Sequence, residues 1–194
     1  MPNYKLIFKK NSFLTIILIL VILLFIFTIN HLKKNNTRIS IGGSFELTDE
    51  NGDKYYSKKI KKNKLIYFGY TFCPDICPFD ILRLSNLLDK NPKITKKVDS
   101  LFITIDPERD SQERLKAFLE NFNPKIKGLY SNLQEIELIK KKFRIYARLN
   151  KKNKDDTDYL VDHTILFFLL DKNDKYIHHF RSEELESQLI NYVQ

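Results

Sequence analysis

The chain reads as an α/β sheet domain preceded by a separate apolar segment. Three observations predict this. Short apolar strand patterns at residues 65–70, 101–105 and 164–170 alternate with stretches whose apolar residues recur at helical spacing. Seventeen uncharged residues, 13–29, apolar except for Thr15 and Thr28, stand apart from the rest. The two cysteines, Cys73 and Cys77, fall where the first strand gives way to a helical pattern, and open α/β sheets place ligands at such strand ends.

The length of 194 residues allows one domain with a full core plus an appendage. Residues 13–29 have the length and composition of a short transmembrane helix, with Lys5, Lys9 and Lys10 before them and Lys33, Lys34 and Arg38 after. A cleaved signal peptide would need small residues after the apolar run, and Asn30, His31, Leu32 and Lys33 stand there instead. A mitochondrial presequence would need an Arg- and Ser-rich stretch ahead of it, and the first twelve residues hold no arginine. The expected organisation is a cytoplasmic N-terminus at 1–12, an uncleaved anchor at 13–29, a tether at 30–40 and a folded domain at 41–194, in a bacterial setting. Three basic residues on either side give the positive-inside rule little to decide orientation with.

The net charge is +9, but six of those positive charges lie within residues 1–40, which hold no acid, leaving +3 for the domain. The remaining lysines alternate with acids and form no nucleic-acid motif, so a nucleic-acid partner is not expected.

The elements follow in order. Phe45 and Leu47 alternate with polar residues, and Asp49-Glu50-Asn51-Gly52 supplies turn chemistry before Lys54, which predicts a β-hairpin. The basic run 58–64 leads into the buried strand 65–70. After the cysteines, Ile81, Leu82, Leu84, Leu87 and Leu88 mark an amphipathic helix that Asn91-Pro92 ends. Strand 101–105 runs into Asp106-Pro107-Glu108-Arg109-Asp110. Asp110 with Glu113 resembles a capping box ahead of Leu115, Phe118, Leu119 and Phe122, and Ser131 with Gln134 repeats it ahead of Ile136, Ile139 and Phe143. Residues 150–158 form a polar loop, 164–170 a strand, 171–174 a turn and 175–180 its partner strand. A last helix over about 182–192 buries Leu185, Leu189 and Ile190.

Residues four apart in a helical turn differ by about 6 Å of rise and about 40° of rotation, so both sulfurs face one way. A helix N-terminus favours thiolate over thiol and so makes a nucleophile or a soft-metal ligand. Pro74 and Pro78 suit a first turn, where an N–H would lack a partner. A third ligand would have to come from His31, His163, His178 or His179. His31 lies at the membrane edge, and His178 and His179 project to opposite faces of a strand with no acid or cysteine beside them. His163 stands at a loop-to-strand boundary, which suits a ligand and an ordinary packed histidine alike. Asp75 suits a helix cap, Asp162 an imidazole partner or a turn residue, and Arg109 an ion pair.

In this order and spacing, Gly69-Tyr70-Thr71-Phe72-Cys73-Pro74-Asp75-Ile76-Cys77-Pro78, Ile105-Asp106-Pro107-Glu108-Arg109-Asp110 and Asp162-His163-Thr164 closely resemble the Sco/SenC family of copper-binding assembly proteins. The resemblance covers about residues 41–192, and Thr164 stands where the family usually has serine. It implies a thioredoxin-like (peroxiredoxin-like) domain with an N-terminal transmembrane anchor. It also implies copper, as Cu(I) or Cu(II), held by Cys73, Cys77 and His163, and a metallochaperone that delivers copper to, or prepares, the binuclear centre of cytochrome c oxidase subunit II. Two thiolates and an imidazole suit Cu(I), with zinc as the alternative metal. The rival function is thiol-disulfide exchange through Cys73 and Cys77, and a peroxidase is a third. Copper handling and persistent disulfides both belong outside the cytoplasm. The expected location is therefore the bacterial inner membrane, single-pass, with the C-terminal domain in the periplasm.

Overall fold

A computed structural model describes residues 4–35, 41–153, 155 and 157–193. The chain divides into two units at about residue 40. The first contains one helix, α1 (Tyr4–Asn35), which extends past the apolar run at both ends. Residues 30–35, expected to be tether, are therefore helical, while 36–40 lie outside the described residues, as do residues 1–3 of the expected cytoplasmic N-terminus. Side chains in α1 are described for residues 14–29, and all are exposed. Among the described residues no helix is long and apolar enough to cross a membrane.

The second unit is the sheet domain. Its elements are β1 (Glu46–Asp49), β2 (Lys54–Tyr56), β3 (Asn63–Gly69), α2 (Ile76–Lys90), α3 (Ile94–Lys97), β4 (Val98–Thr104), α4 (Gln112–Leu119), β5 (Ile126–Tyr130), α5 (Leu133–Phe143), β6 (Ala147–Asn150), β7 (Leu160–His163), β8 (Phe167–Leu170), β9 (Tyr176–Phe180) and α6 (Ser182–Tyr192). Among the described residues the strands form one mixed sheet, in the order β2-β1-β5-β4-β3-β8-β9, and a separate pair, β6-β7. β3, β4 and β5 run parallel through helical crossovers, and the other pairings are antiparallel.

Because strand side chains alternate between faces, two neighbours on β3 sort the helices. Tyr67 hydrogen-bonds Asp80 of α2 and stacks with Phe102, which in turn meets Phe118 of α4. Phe68 packs 5.1 Å from Phe143 of α5. The two sheet faces are thus covered by α2 and α4 on one side and α5 on the other. β3 and β4 are buried on both faces, as their unbroken apolar runs require. An ion pair enters this core: Lys64 is fully buried and paired at 2.8 Å with Asp174, whose second oxygen accepts from Ser57.

Some expectations shift. The helix expected to begin at Asp110 is capped by Ser111, whose side chain accepts from the Arg114 N–H, and the one expected at Ser131 is capped by Asn132. The strand expected over 164–170 pairs only from Phe167, since Thr164 to Leu166 turn the chain out of β7. Ile190 is exposed on the outer side of α6.

Candidate metal and redox centre

β3 ends at Gly69, and residues 70–75 form the turn that delivers both cysteines to the start of α2. The Cys73 N–H donates to the Tyr70 carbonyl at 3.3 Å, which closes the turn. The Thr71 N–H and hydroxyl both donate to the Asp110 carboxylate, the hydroxyl at 2.5 Å. Cys77 lies in the first turn of α2, and its N–H donates to Cys73 Sγ at 3.4 Å.

Cys73 is half-buried and Cys77 is buried, and both are free thiols. Their environments pull them apart. A hydrogen bond from the Cys77 thiol, helped by His163 and by the backbone N–H groups of Cys77 and Asp75, lowers Cys73 to about 3 against the opposing effect of its burial. The same Cys73–Cys77 hydrogen bond, together with burial, pushes Cys77 well above the ordinary thiol range. The pair therefore holds one half-buried thiolate and one buried thiol.

His163 is the last residue of β7, which pairs with β6 in the register Ala147↔His163. Its Nδ1 lies 2.9 Å from the Thr164 carbonyl, which can only accept, so the ring proton sits on Nδ1. Nε2 lies 3.5 Å from Cys77 Sγ. Tyr67 and Tyr70 meet the imidazole edge-on, with centroids 6.4 and 5.9 Å away. The Tyr70 hydroxyl also accepts from the Val161 N–H at 3.1 Å, fastening β7 to the turn. A cavity of about 290 Å³ opens between Tyr70, Cys73, Ile76, Val161, His163 and Ile165.

The structure thus brings His163 to Cys77, and Cys77 to Cys73. Among the described residues no group of three His, Cys, Asp or Glu side chains is already set out as a metal shell. The donor set nevertheless fits a metal. Zinc's bonds of about 2.3 Å to sulfur and about 2.0 Å to nitrogen at a tetrahedral angle place the two donor atoms about 3.5 Å apart. That is the separation found between Cys77 Sγ and His163 Nε2.

The other candidates fall elsewhere. His178 and His179 lie on opposite faces of β9, as expected: His178 stands across from Leu169 and stacks on Tyr192, while His179 stands across from Phe168 and is bonded to the Tyr176 hydroxyl. The side chain of His31 lies outside the described residues. Asp75 occupies the cap position of α2 but makes no side-chain cap, and it serves Cys73 through its backbone N–H. Asp162 is exposed, and the Thr164 carbonyl orients the imidazole instead. Arg109 does pair with Asp106, at 2.6 Å. The sequence reading missed Tyr67, Tyr70 and Asp80. The position of Tyr67 on the α2 face of β3, of Asp80 on α2 and of Tyr70 just past the strand end was the available signal.

Residues 33–194 match the SCO1/SenC protein family. A SCO2-like protein of Rickettsia prowazekii is 42% identical over 145 residues, covering 74% of this chain and 70% of that protein. The structure of Bradyrhizobium japonicum ScoI with copper bound superposes with a TM-score of 0.70 at 38% identity, covering 79% of this chain and 99% of that one. BsSco, described as containing a disulfide switch and as a member of the Sco family of cytochrome c oxidase assembly proteins, shares the fold with a TM-score of 0.62 at 22% identity, covering 79% and 91%. The chain shares its thioredoxin-like α/β fold with these structures and belongs to the SCO1/SenC family.

Proposed function

We propose that this protein is a copper chaperone for cytochrome c oxidase assembly, with Cys73, Cys77 and His163 as the ligands and subunit II, through its binuclear centre, as the recipient. The observation that carries the reading is the 3.5 Å contact between Cys77 Sγ and His163 Nε2 beside the Cys73 thiolate. Two sulfurs and one imidazole suit Cu(I), which favours soft donors and low coordination. Copper is cargo here. Cys73, already deprotonated and accessible, meets the incoming ion first. Cys77 gives up its proton as the ion binds, so loading releases a proton. His163 contributes the Nε2 lone pair. A site with few ligands and one open side then passes the ion on by exchange with the recipient's own thiolates.

The apolar run within α1 supports an anchor in the bacterial inner membrane, with residues 41–194 in the periplasm, where an extracytoplasmic copper centre is assembled. A reporter fused after Gln194 should be active in the periplasm and silent in the cytoplasm. The reverse result would contradict this placement.

A second reading is favoured by the division of labour within the pair. The Cys73 thiolate attacks a partner disulfide and forms a mixed disulfide, releasing one partner thiolate. Cys77, its proton taken by His163 Nε2, then attacks Cys73 Sγ and releases the second. The two electrons of the Cys73–Cys77 pair have then reduced the partner. The substitution His163→Ala separates the readings: it should abolish Cu(II) binding and weaken Cu(I) binding, while the Cys73–Cys77 disulfide can still form.

A further inference from the structure

The motif Asp106-Pro107-Glu108-Arg109-Asp110 has no part in the donor set, yet it touches both arms that carry it. It is a tight turn, with the Arg109 and Asp110 N–H groups donating to the Asp106 carbonyl at 3.2 and 3.0 Å. On one side, the Asp110 carboxylate holds Thr71, two residues before Cys73, and accepts from Thr104 at the end of β4 at 2.6 Å. On the other side, Arg109 spans a gap of about fifty residues in the chain. Its Nε donates to Asp106 at 2.6 Å, and its Nη1 donates to the carbonyls of Tyr159 at 2.8 Å and Thr157 at 3.3 Å. The Tyr159 ring lies 3.5 Å beneath the guanidinium, and its hydroxyl donates to Asp106 at 2.8 Å. The Arg109 side chain is nine-tenths buried by these contacts.

Residues 157–159 end a polar loop and feed directly into β7. β7 is held by a four-residue ladder to the short strand β6, by the Val161–Tyr70 hydrogen bond and by the burial of Val161. A two-stranded ladder of that length has little stability of its own. The position of His163 therefore depends on what fixes the start of β7.

We infer that Arg109 is a positioning residue that fastens the start of β7 to the Asp106–Asp110 turn, and that this turn sets the separation between His163 and the cysteines. Because the guanidinium is planar and makes three donations while stacking on a ring, lysine cannot replace it. The inference rests on the proposed ligand role of His163 for its effect on copper, but the clamp itself can be read without metal.

The test uses the full chain in detergent, with wild type, R109A, R109K, H163A and R109A/H163A. In metal-free protein, hydrogen exchange at the Val161 amide should rise at least about tenfold in R109A and R109K, while amides across β3 and β4 stay protected. With a competing chelator, R109A should lower Cu(I) affinity about 10–100-fold, the range for residues that orient a ligand. The double variant should match H163A within about twofold, because the lost arm is the same one. Unchanged Val161 exchange, exchange rising equally across the whole sheet, or an equal loss of affinity with and without His163 would overturn the clamp. If H163A alone binds Cu(I) like wild type, the ligand assignment fails instead, and Val161 exchange decides the clamp by itself.

Discussion

Cys77 Sγ and His163 Nε2 stand 3.5 Å apart although 86 residues separate them in the chain. The first is fixed by the opening turn of α2 and the second by the end of β7. Only the fold brings them together, so the site can be tested through either the donors or the elements that carry them.

Cys73 should be alkylated much faster than Cys77, being half-buried where its neighbour is buried. With its pKa lowered to about 3, Cys73 is already a thiolate throughout pH 5–8. Its rate with iodoacetamide should therefore be nearly flat over that range. An ordinary thiol would gain about tenfold per unit below a pKa of about 8.5. Cys77→Ala removes the hydrogen bond that contributes most, so its profile should regain a slope. Mass-spectrometric labelling of the metal-free protein measures both.

Lys64→Met should destabilise the domain by about 3–5 kcal/mol, because the buried Asp174 carboxylate loses its counter-charge. Adding Asp174→Asn should recover part of that loss, since the amide still serves Ser57 and tolerates the left-handed backbone at φ 64°. Chemical denaturation of the single and double variants shows the coupling.

Gly128→Ala tests the packing of α4 on β5. A Cβ there would stand 2.6 Å from both Leu115 Cγ and Leu119 Cδ1, in a buried contact with little room to relax. A loss of about 1–3 kcal/mol is expected, with Cys73 labelling unchanged. The same denaturation midpoint measures it.

The sequence made the cysteine turn legible because strand, prolines and helix are all local signals, and α2 ends at Lys90, ahead of Asn91-Pro92 as those residues predict. His163 could be shortlisted but not assigned, since its partner is distant in the chain. Strand β5 escaped notice because Ile-Lys-Gly-Leu-Tyr carries a glycine in mid-strand and only one alternation. Asp110 fits a capping-box spacing with Glu113, and nothing local reveals that its carboxylate turns back to Thr71, 39 residues earlier. The pair Ser131 and Asn132 offers two adjacent caps, and the choice between them depends on how β5 delivers the chain. The helix α1 runs beyond the apolar segment that suggested it, because lysine and asparagine at its ends do not forbid helix.

The most direct measurement is an anaerobic copper titration of the full-length protein against His163→Ala, following both Cu(I) and Cu(II). Wild type should bind one ion in either state. His163→Ala should lose Cu(II) binding and hold Cu(I) more weakly, while still forming the Cys73–Cys77 disulfide on oxidation. If His163→Ala binds both copper states like wild type and still supports oxidase assembly in a strain lacking the native protein, the three-ligand site is wrong.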